Sequence, residues 1–249
     1  MHWELIPVFF AIAFIYASVG FGGGSSYLAV LSLYAMPFHE MRLIALLCNI
    51  IVLADGAIVF MRNKQVDFKK ILPLILVSIP MAYLGATVKI SEHTFFILLG
   101  FSLVIAAVLL CVKTKNADED NSDEYKKSNP VGNGILGGAI GFLSGMVGIG
   151  GGIFLSPVLN LMKWDTARKI AATASVFILF NSMAGIAGQL MQSGTGLATD
   201  RIWFLCAAVF IGGYFGSNMG AVKFNPLTIR RVTAILVFVA GMNVLLKHL

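Results

Sequence analysis

Charge is scarce in this chain. Asp, Glu, Lys and Arg make up 12% of its 249 residues, while hydrophobic residues make up 58%. A soluble domain carries about 25% charged residues, so this chain cannot clothe itself for water, and ordinary soluble enzymes and binding modules are excluded. The net charge of +6 is then a statement about loops rather than nucleic acid, because Lys and Arg of membrane proteins collect on the cytoplasmic side. Cysteine is scarce too. Cys48, Cys111 and Cys206 stand far apart, and no CxxC or Cys/His spacing occurs, so neither a disulfide framework nor a metal site is expected, and no cofactor. The four histidines (His2, His39, His93 and His248) fall at segment ends. The first twenty residues, "MHWELIPVFFAIAFIYASVG", lack a basic leader and a small-residue cleavage motif and are not read as a cleaved signal peptide. Within the apolar stretches there is no Ser/His pair, carboxylate pair or metal-ligand set, so no enzyme is expected.

What the chain does have is apolar length. Six stretches approach the roughly 20 residues that a helix needs to cross a bilayer: 41–60, 71–88, 95–112, 170–191, 202–222 and 227–246. Four others (5–19, 25–36, 132–147 and 153–162) are shorter, and they flank two glycine clusters. The first cluster lies in "GFGGGSSYLAVLSLYAMP" (20–37), the second in "GIGGGIFLSPVLNLM" (148–162), at an offset of 128. The one long polar segment, "KTKNADEDNSDEYKKSNP" (113–130), separates the two halves. The expected organisation is a first membrane repeat over 1–113, a charged cytoplasmic linker over 114–131 and a second repeat over 132–249. Internal duplication is a common mark of secondary transporters.

Two topologies fit. Each glycine-broken pair could form one kinked span, giving parallel halves, or dip in and return, giving six spans, two re-entrant pairs and inverted halves. Charge decides between them. In the re-entrant arrangement 14 of the 18 Lys and Arg residues fall on one side and only Arg42, Lys89, Arg201 and Lys247 on the other, the asymmetry that marks a cytoplasmic face. The expected fold class is therefore an all-α polytopic membrane protein of two inverted repeats, each a glycine-tipped broken helix pair plus three transmembrane helices, with both termini outside.

Glycine suits such a tip because it accepts positive φ and lets backbones approach closely. The half-helix beginning there has N–H groups without an intrahelical partner, at the positive end of the helix dipole. Two tips meeting near the midplane would form an anion site. Candidate substrate-binding residues are Gly22, Gly23, Gly24, Ser25 and Ser26 at the first tip and Gly150, Gly151 and Gly152 at the second. The intramembrane polar residues Asn49, Thr173, Ser175 and Asn181 join them. Asp55, the only acid inside a full span, is the candidate proton-coupling group. Glycines that merely allow tight helix packing are the plainer reading, and a symmetric pair of clusters between half-length helices argues against it. A nucleotide loop is excluded because no Lys-Ser/Thr follows either cluster.

The paired GxGGG clusters, "GFLSGMVGIGGGIFLSPVL" (141–159) and "AATAS" (171–175) after "ARK" together resemble the sulfite exporter TauE/SafE family over almost the whole chain. The first half departs from that pattern: Ala29 stands where Pro157 stands, and no Thr-x-Ser follows Arg42. The resemblance implies a transporter of small sulfur anions such as sulfite, sulfonates or sulfoacetate across the cytoplasmic membrane, in agreement with the anion-site argument. The expected function is a secondary transporter of a small anion, with a proton as candidate coupling ion. A passive anion channel is the alternative. The expected partners are the anionic substrate and the lipid bilayer, with a homodimer as an open oligomeric reading and no nucleic acid.

Cysteine labelling in intact cells, on a background lacking the three native cysteines, tests the topology. Cysteines at positions 64, 126 and 223 are expected to be shielded from an impermeant reagent, and those at 89 and 247 to react. Labelling of positions 64 and 89 from the same side would refute the charge-based arrangement.

Overall fold

The computed structural model describes residues 3–18, 20–34, 36–62, 65–111, 129–193, 202–223 and 226–248. They form ten α-helices, with no strand among the described residues: α1 (Leu5–Ala17), α2 (Gly24–Ser32), α3 (Phe38–Arg62), α4 (Phe68–Thr87), α5 (Glu92–Cys111), α6 (Pro130–Val147), α7 (Gly152–Leu161), α8 (Ala167–Ser193), α9 (Ile202–Lys223) and α10 (Pro226–His248). Five of them, α3, α4, α5, α6 and α8, are long and apolar enough to cross a membrane. α9 and α10 have 22 and 23 residues. α1, α2 and α7 have 13, 9 and 10, or about 20, 14 and 15 Å at 1.5 Å per residue. α6 is longer than the apolar run 132–147 suggests. Asn129 caps it by accepting from the Val131 N–H at 3.2 Å, and Pro130 sits in its first turn, where a missing N–H costs nothing. Its 18 residues reach about 27 Å. Most of the charged linker lies outside the described residues.

Small residues set how the helices lie together. Gly137, Gly141 and Gly145 recur every fourth residue on α6 and press against the backbone of Leu74, Ser78 and Ala82 on α4, so these two helices run side by side in the same direction. α1 and α9 pair in the same way, with the carbonyls of Phe10 and Phe14 against Gly212 and Gly216. α9 runs parallel to α3 as well: Cys48 faces Cys206, and Val52 faces Gly213. α8 runs parallel to α4, from a cluster of Ile71 with Ala172 and Val176 to Gly188 packed on Tyr83 and Ala86. Two other pairs oppose. Phe96 stacks on His248 at 3.9 Å while Leu103 meets Gly241, making α5 and α10 antiparallel. Leu46 meets Gly185 while Ala57 clusters with Ala172, making α3 and α8 antiparallel. Small residues at such crossings gain van der Waals contact, which drives helix association in lipid.

One ionic clasp ties helix ends together. Asp165, in the α7–α8 connection, accepts from Lys70 Nζ on α4 at 2.6 Å, lies 3.3 Å from Lys169 Nζ and accepts from the Thr166 N–H at 2.9 Å. Burial alone would raise its carboxyl, but the Lys70 and Thr166 bonds and both lysine charges outweigh that and hold it below the usual carboxylate range.

A side chain at Gly141 or Gly145 would overlap the α4 backbone. Gly141→Val and Gly145→Val are expected to destabilise by about 1–3 kcal/mol through overpacking. Gly132→Ala, where only Asn129 lies nearby, at 3.5 Å or more, should be neutral. Melting temperatures of detergent-purified variants check this.

Candidate functional site

Both helix breaks use one backbone device. Three residues beyond the end of α1 stands a left-handed glycine, Gly20 (φ 79°), and the next N–H, of Phe21, reaches back to Tyr16 O at 2.9 Å. α6 ends at Gly148 (φ 83°), and the Ile149 N–H reaches back to Ser144 O at 3.2 Å. This five-residue return satisfies the last carbonyls of a helix and turns the chain out of it. A further left-handed glycine, Gly23 (φ 80°) or Gly151 (φ 87°), then caps the next half-helix; at the second tip Gly150 (φ 84°) is left-handed as well. The N–H groups of Ser26 and Tyr27 bond Gly23 O, and those of Phe154 and Leu155 bond Gly151 O. Ahead of these first bonds stand the N–H groups of Gly24 and Ser25 in α2, and of Gly152 and Ile153 in α7. They carry the positive end of each helix dipole.

These four residues share one cavity. Its wall is Tyr16, Phe21, Gly22, Gly23, Gly24, Ser25, Asn49, Ile149, Gly152, Ile153 and Ile178, and its volume of about 10 Å3 is room for a single water. A sulfur oxyanion does not fit in this closed arrangement. Asn49, reaching in from α3, occupies the centre. Its Nδ2 donates to Ile149 O at 3.0 Å, linking α3 to the second tip, and its amide packs against Gly22 and Gly24 of the first. Its Oδ1 has no protein partner among the described residues. Glycine is required at 22, 24 and 150 because a Cβ at any of them would collide with that amide.

The sequence-derived candidates separate in the structure. Gly22, Gly23, Gly24, Ser25, Asn49 and Gly152 line the cavity, and Gly150 touches Asn49 from the second tip. Gly151 turns inward instead, packed near Phe177, Ile140 and Ser144. Ser26 pairs with the Tyr16 hydroxyl at 2.6 Å. Ser175 holds the first tip from behind, donating to Gly20 O at 2.7 Å. Thr173 and Asn181 are buried without side-chain partners among the described residues, and neither borders the cavity. Asp55 lies within α3, and its side chain is outside the described residues. No group of three or more His, Cys, Asp or Glu that could hold a metal occurs among the described residues.

Several site residues escape a reading by polarity. Tyr16 lines the cavity, and only its place five residues before Phe21 could have marked it. Ser182 sits against Gly150 with an unpartnered Oγ. Arg42, counted above as a loop cation, is fully buried beneath the second tip. Cys48 and Cys206, remote in sequence, are neighbours in space.

Residues 5–244 match the profile of the family described as sulfite exporter TauE/SafE. The chain is 32% identical over 242 residues, 97% of each chain, to "Probable membrane transporter protein y4hK" of Sinorhizobium fredii. It is 25% identical over 207 residues, 75% of this chain and 73% of the relative, to "Probable membrane transporter protein YunE" of Bacillus subtilis. No solved structure matches.

Gly23→Val and Gly151→Val force a branched residue into the left-handed region, at a cost of about 1–2 kcal/mol, and crowd the tip. Each is expected to abolish anion binding while the protein still inserts, whereas Gly132→Ala binds as the wild type does. Calorimetry on the folded fraction reads the difference.

Proposed function

The chain belongs to the sulfite exporter TauE/SafE family of membrane transporters, and from that premise we propose that it is a secondary transporter of a small anion, a sulfur oxyanion or organosulfonate of the sulfite or sulfoacetate kind. The anion binds near the midplane between the two glycine tips. The observation that carries this reading is the convergence of four helix-N-terminal residues, Gly24, Ser25, Gly152 and Ile153, on one cavity. Donors and dipoles there favour negative charge without a permanent cation, so the anion can be held and also released. The cavity is too small for the anion as it stands, and enlarging it requires Asn49 to let go of Ile149.

The proposed architecture is two inverted repeats, each opened by a re-entrant pair. Helix directions support it. α1 and α3 both run parallel to α9, so α2 must bring the chain back between them. α6 and α8 both run parallel to α4, so α7 does the same. Exchanging the halves maps neighbouring helices onto neighbouring helices: α1 with α9 becomes α6 with α4, and α2 with α10 becomes α7 with α5. Counterparts α3 and α8 oppose, as do α5 and α10. Irregular backbone at membrane depth is tolerated where protein shields it, and both tips are buried. With the buried Arg42 set aside, the split of 14 loop cations against Lys89, Arg201 and Lys247 supports placing both termini outside the cell membrane.

A thermal-shift panel in detergent with sulfite, sulfate, thiosulfate, sulfoacetate, taurine and carboxylates tests the substrate class. A true ligand at a hundred times its Kd stabilises by about 2.7 kcal/mol, and stabilisation by no anion contradicts the reading. For coupling, Asp55 is the proposed proton site, because it is the only acid inside a full apolar stretch and an ionised carboxylate there is costly unless hydrated or paired; an amide resembles the protonated acid in shape. Asp55→Asn is expected to bind substrate and support exchange in proteoliposomes but to lose accumulation driven by a pH gradient. Undiminished accumulation rules Asp55 out. A wild type that never accumulates anion uphill is a channel.

A further inference from the structure

The buried polar groups of the α3–α8 seam fall into register beyond the tips. The two helices run in opposite directions and touch where Leu46 meets Gly185. On one side of that contact, Asn49 and Ser182 meet at Gly150. One turn to the other side, toward the end where α3 begins and α8 finishes, stand Arg42 and Gln189. Arg42 and Asn49 are seven residues apart on α3, and Ser175, Ser182 and Gln189 are spaced by seven on α8, an interval that keeps side chains on one helix face over two turns.

Arg42 is 0% exposed and Gln189 1%. Arg42 Nη2 donates to Gly145 O at 2.9 Å, near the end of α6. Its Nε and Nη1, and both ends of the Gln189 amide, have no protein partner among the described residues. A buried charge is expensive unless paired, and one carbonyl uses a single donor of five. Arg42 packs on Gly148 of the second tip as Ala171 packs on Gly20 of the first; there the Gly20 N–H serves the carbonyl of Ala17, and here one Arg42 donor serves that of Gly145, leaving the rest of the guanidinium over.

We propose that Arg42 and Gln189 form a second anion station, lying between the tip site and the end of the molecule where α3 begins. It rests on the transporter reading above and assigns that site its route on one side. The guanidinium offers a planar pair of donors that matches two oxygens of a sulfonate or sulfite, and the Gln189 amide donates to a third. An anion leaving the tips passes along Asn49 and Ser182 and meets a full positive charge before reaching bulk water.

The test is exchange of radiolabelled sulfite and sulfoacetate in proteoliposomes by wild type, Arg42→Gln and Gln189→Glu, with folding checked by gel filtration. At subsaturating anion, Arg42→Gln is expected to exchange about tenfold more slowly, as loss of a charged hydrogen-bond donor implies. Gln189→Glu sets a carboxylate in register with Arg42 on the same seam, where it competes with the anion for the guanidinium, and exchange is expected to fall at least about tenfold. If Arg42 only caps α6, Gln189→Glu exchanges as the wild type does, and that result overturns the station even if Arg42→Gln fails to fold. A wild type that moves none of the panel anions overturns the transporter reading and the station with it. An active wild type with both variants unchanged overturns the station alone.

Discussion

A peptide N–H at membrane depth must find a partner or be kept for a ligand, and that constraint falls on the starts of the two half-helices. A half-helix starting inside the bilayer leaves its first N–H groups open. Here two half-helices start against each other, capped by Gly23 and Gly151 in a conformation that other residues adopt only with strain. The carbonyls of the preceding helices are satisfied by the returns from Phe21 to Tyr16 and from Ile149 to Ser144. Two N–H groups of each half-helix bond the carbonyl of its own cap, and the two residues ahead of them line the cavity. The same accounting explains why the tips are buried on every side and why lipid does not reach them.

Holding the tips in register falls to the flanking helices. The glycine ladder of α6 on α4 and the contacts of Gly212 and Gly216 on α1 bring backbones together with no intervening side chain. The hairpins are thereby fixed to rigid partners rather than hung on loops. Asn49 and Ser175 then reach from α3 and α8 to a backbone carbonyl of the opposite half, Ile149 and Gly20 respectively. Each half thus holds the tip of the other.

Much of this was legible in the sequence. The apolar runs marked the ten helical segments, because a span in lipid must be apolar along its length. The spacing of the glycine clusters marked the two breaks and their equivalence. Asn49 stood out because amides are rare in such runs, and it lies at the cavity. The reading was weaker where burial decides. Arg42 lies close enough to a helix end to pass for a loop charge, yet the second tip covers it entirely. Asn181 and Thr173 looked equivalent to Asn49 as polar residues in a span, but the angular position of a residue on its helix depends on packing partners, and neither faces the cavity. Tyr16 read as an ordinary aromatic because nothing local shows that its hydroxyl meets Ser26. The length of α6 was underestimated because Asn129 and Pro130 extend it beyond the apolar stretch.

An anion lying between the two half-helix N-termini would be visible in a cryo-EM structure of the protein in lipid nanodiscs with saturating sulfite. Density is expected between the tips, with oxygens about 3 Å from the N–H nitrogens of Gly24, Ser25, Gly152 and Ile153, and the Asn49 amide displaced from Ile149. Bound sulfite elsewhere, with the tips still closed on Asn49, would contradict it.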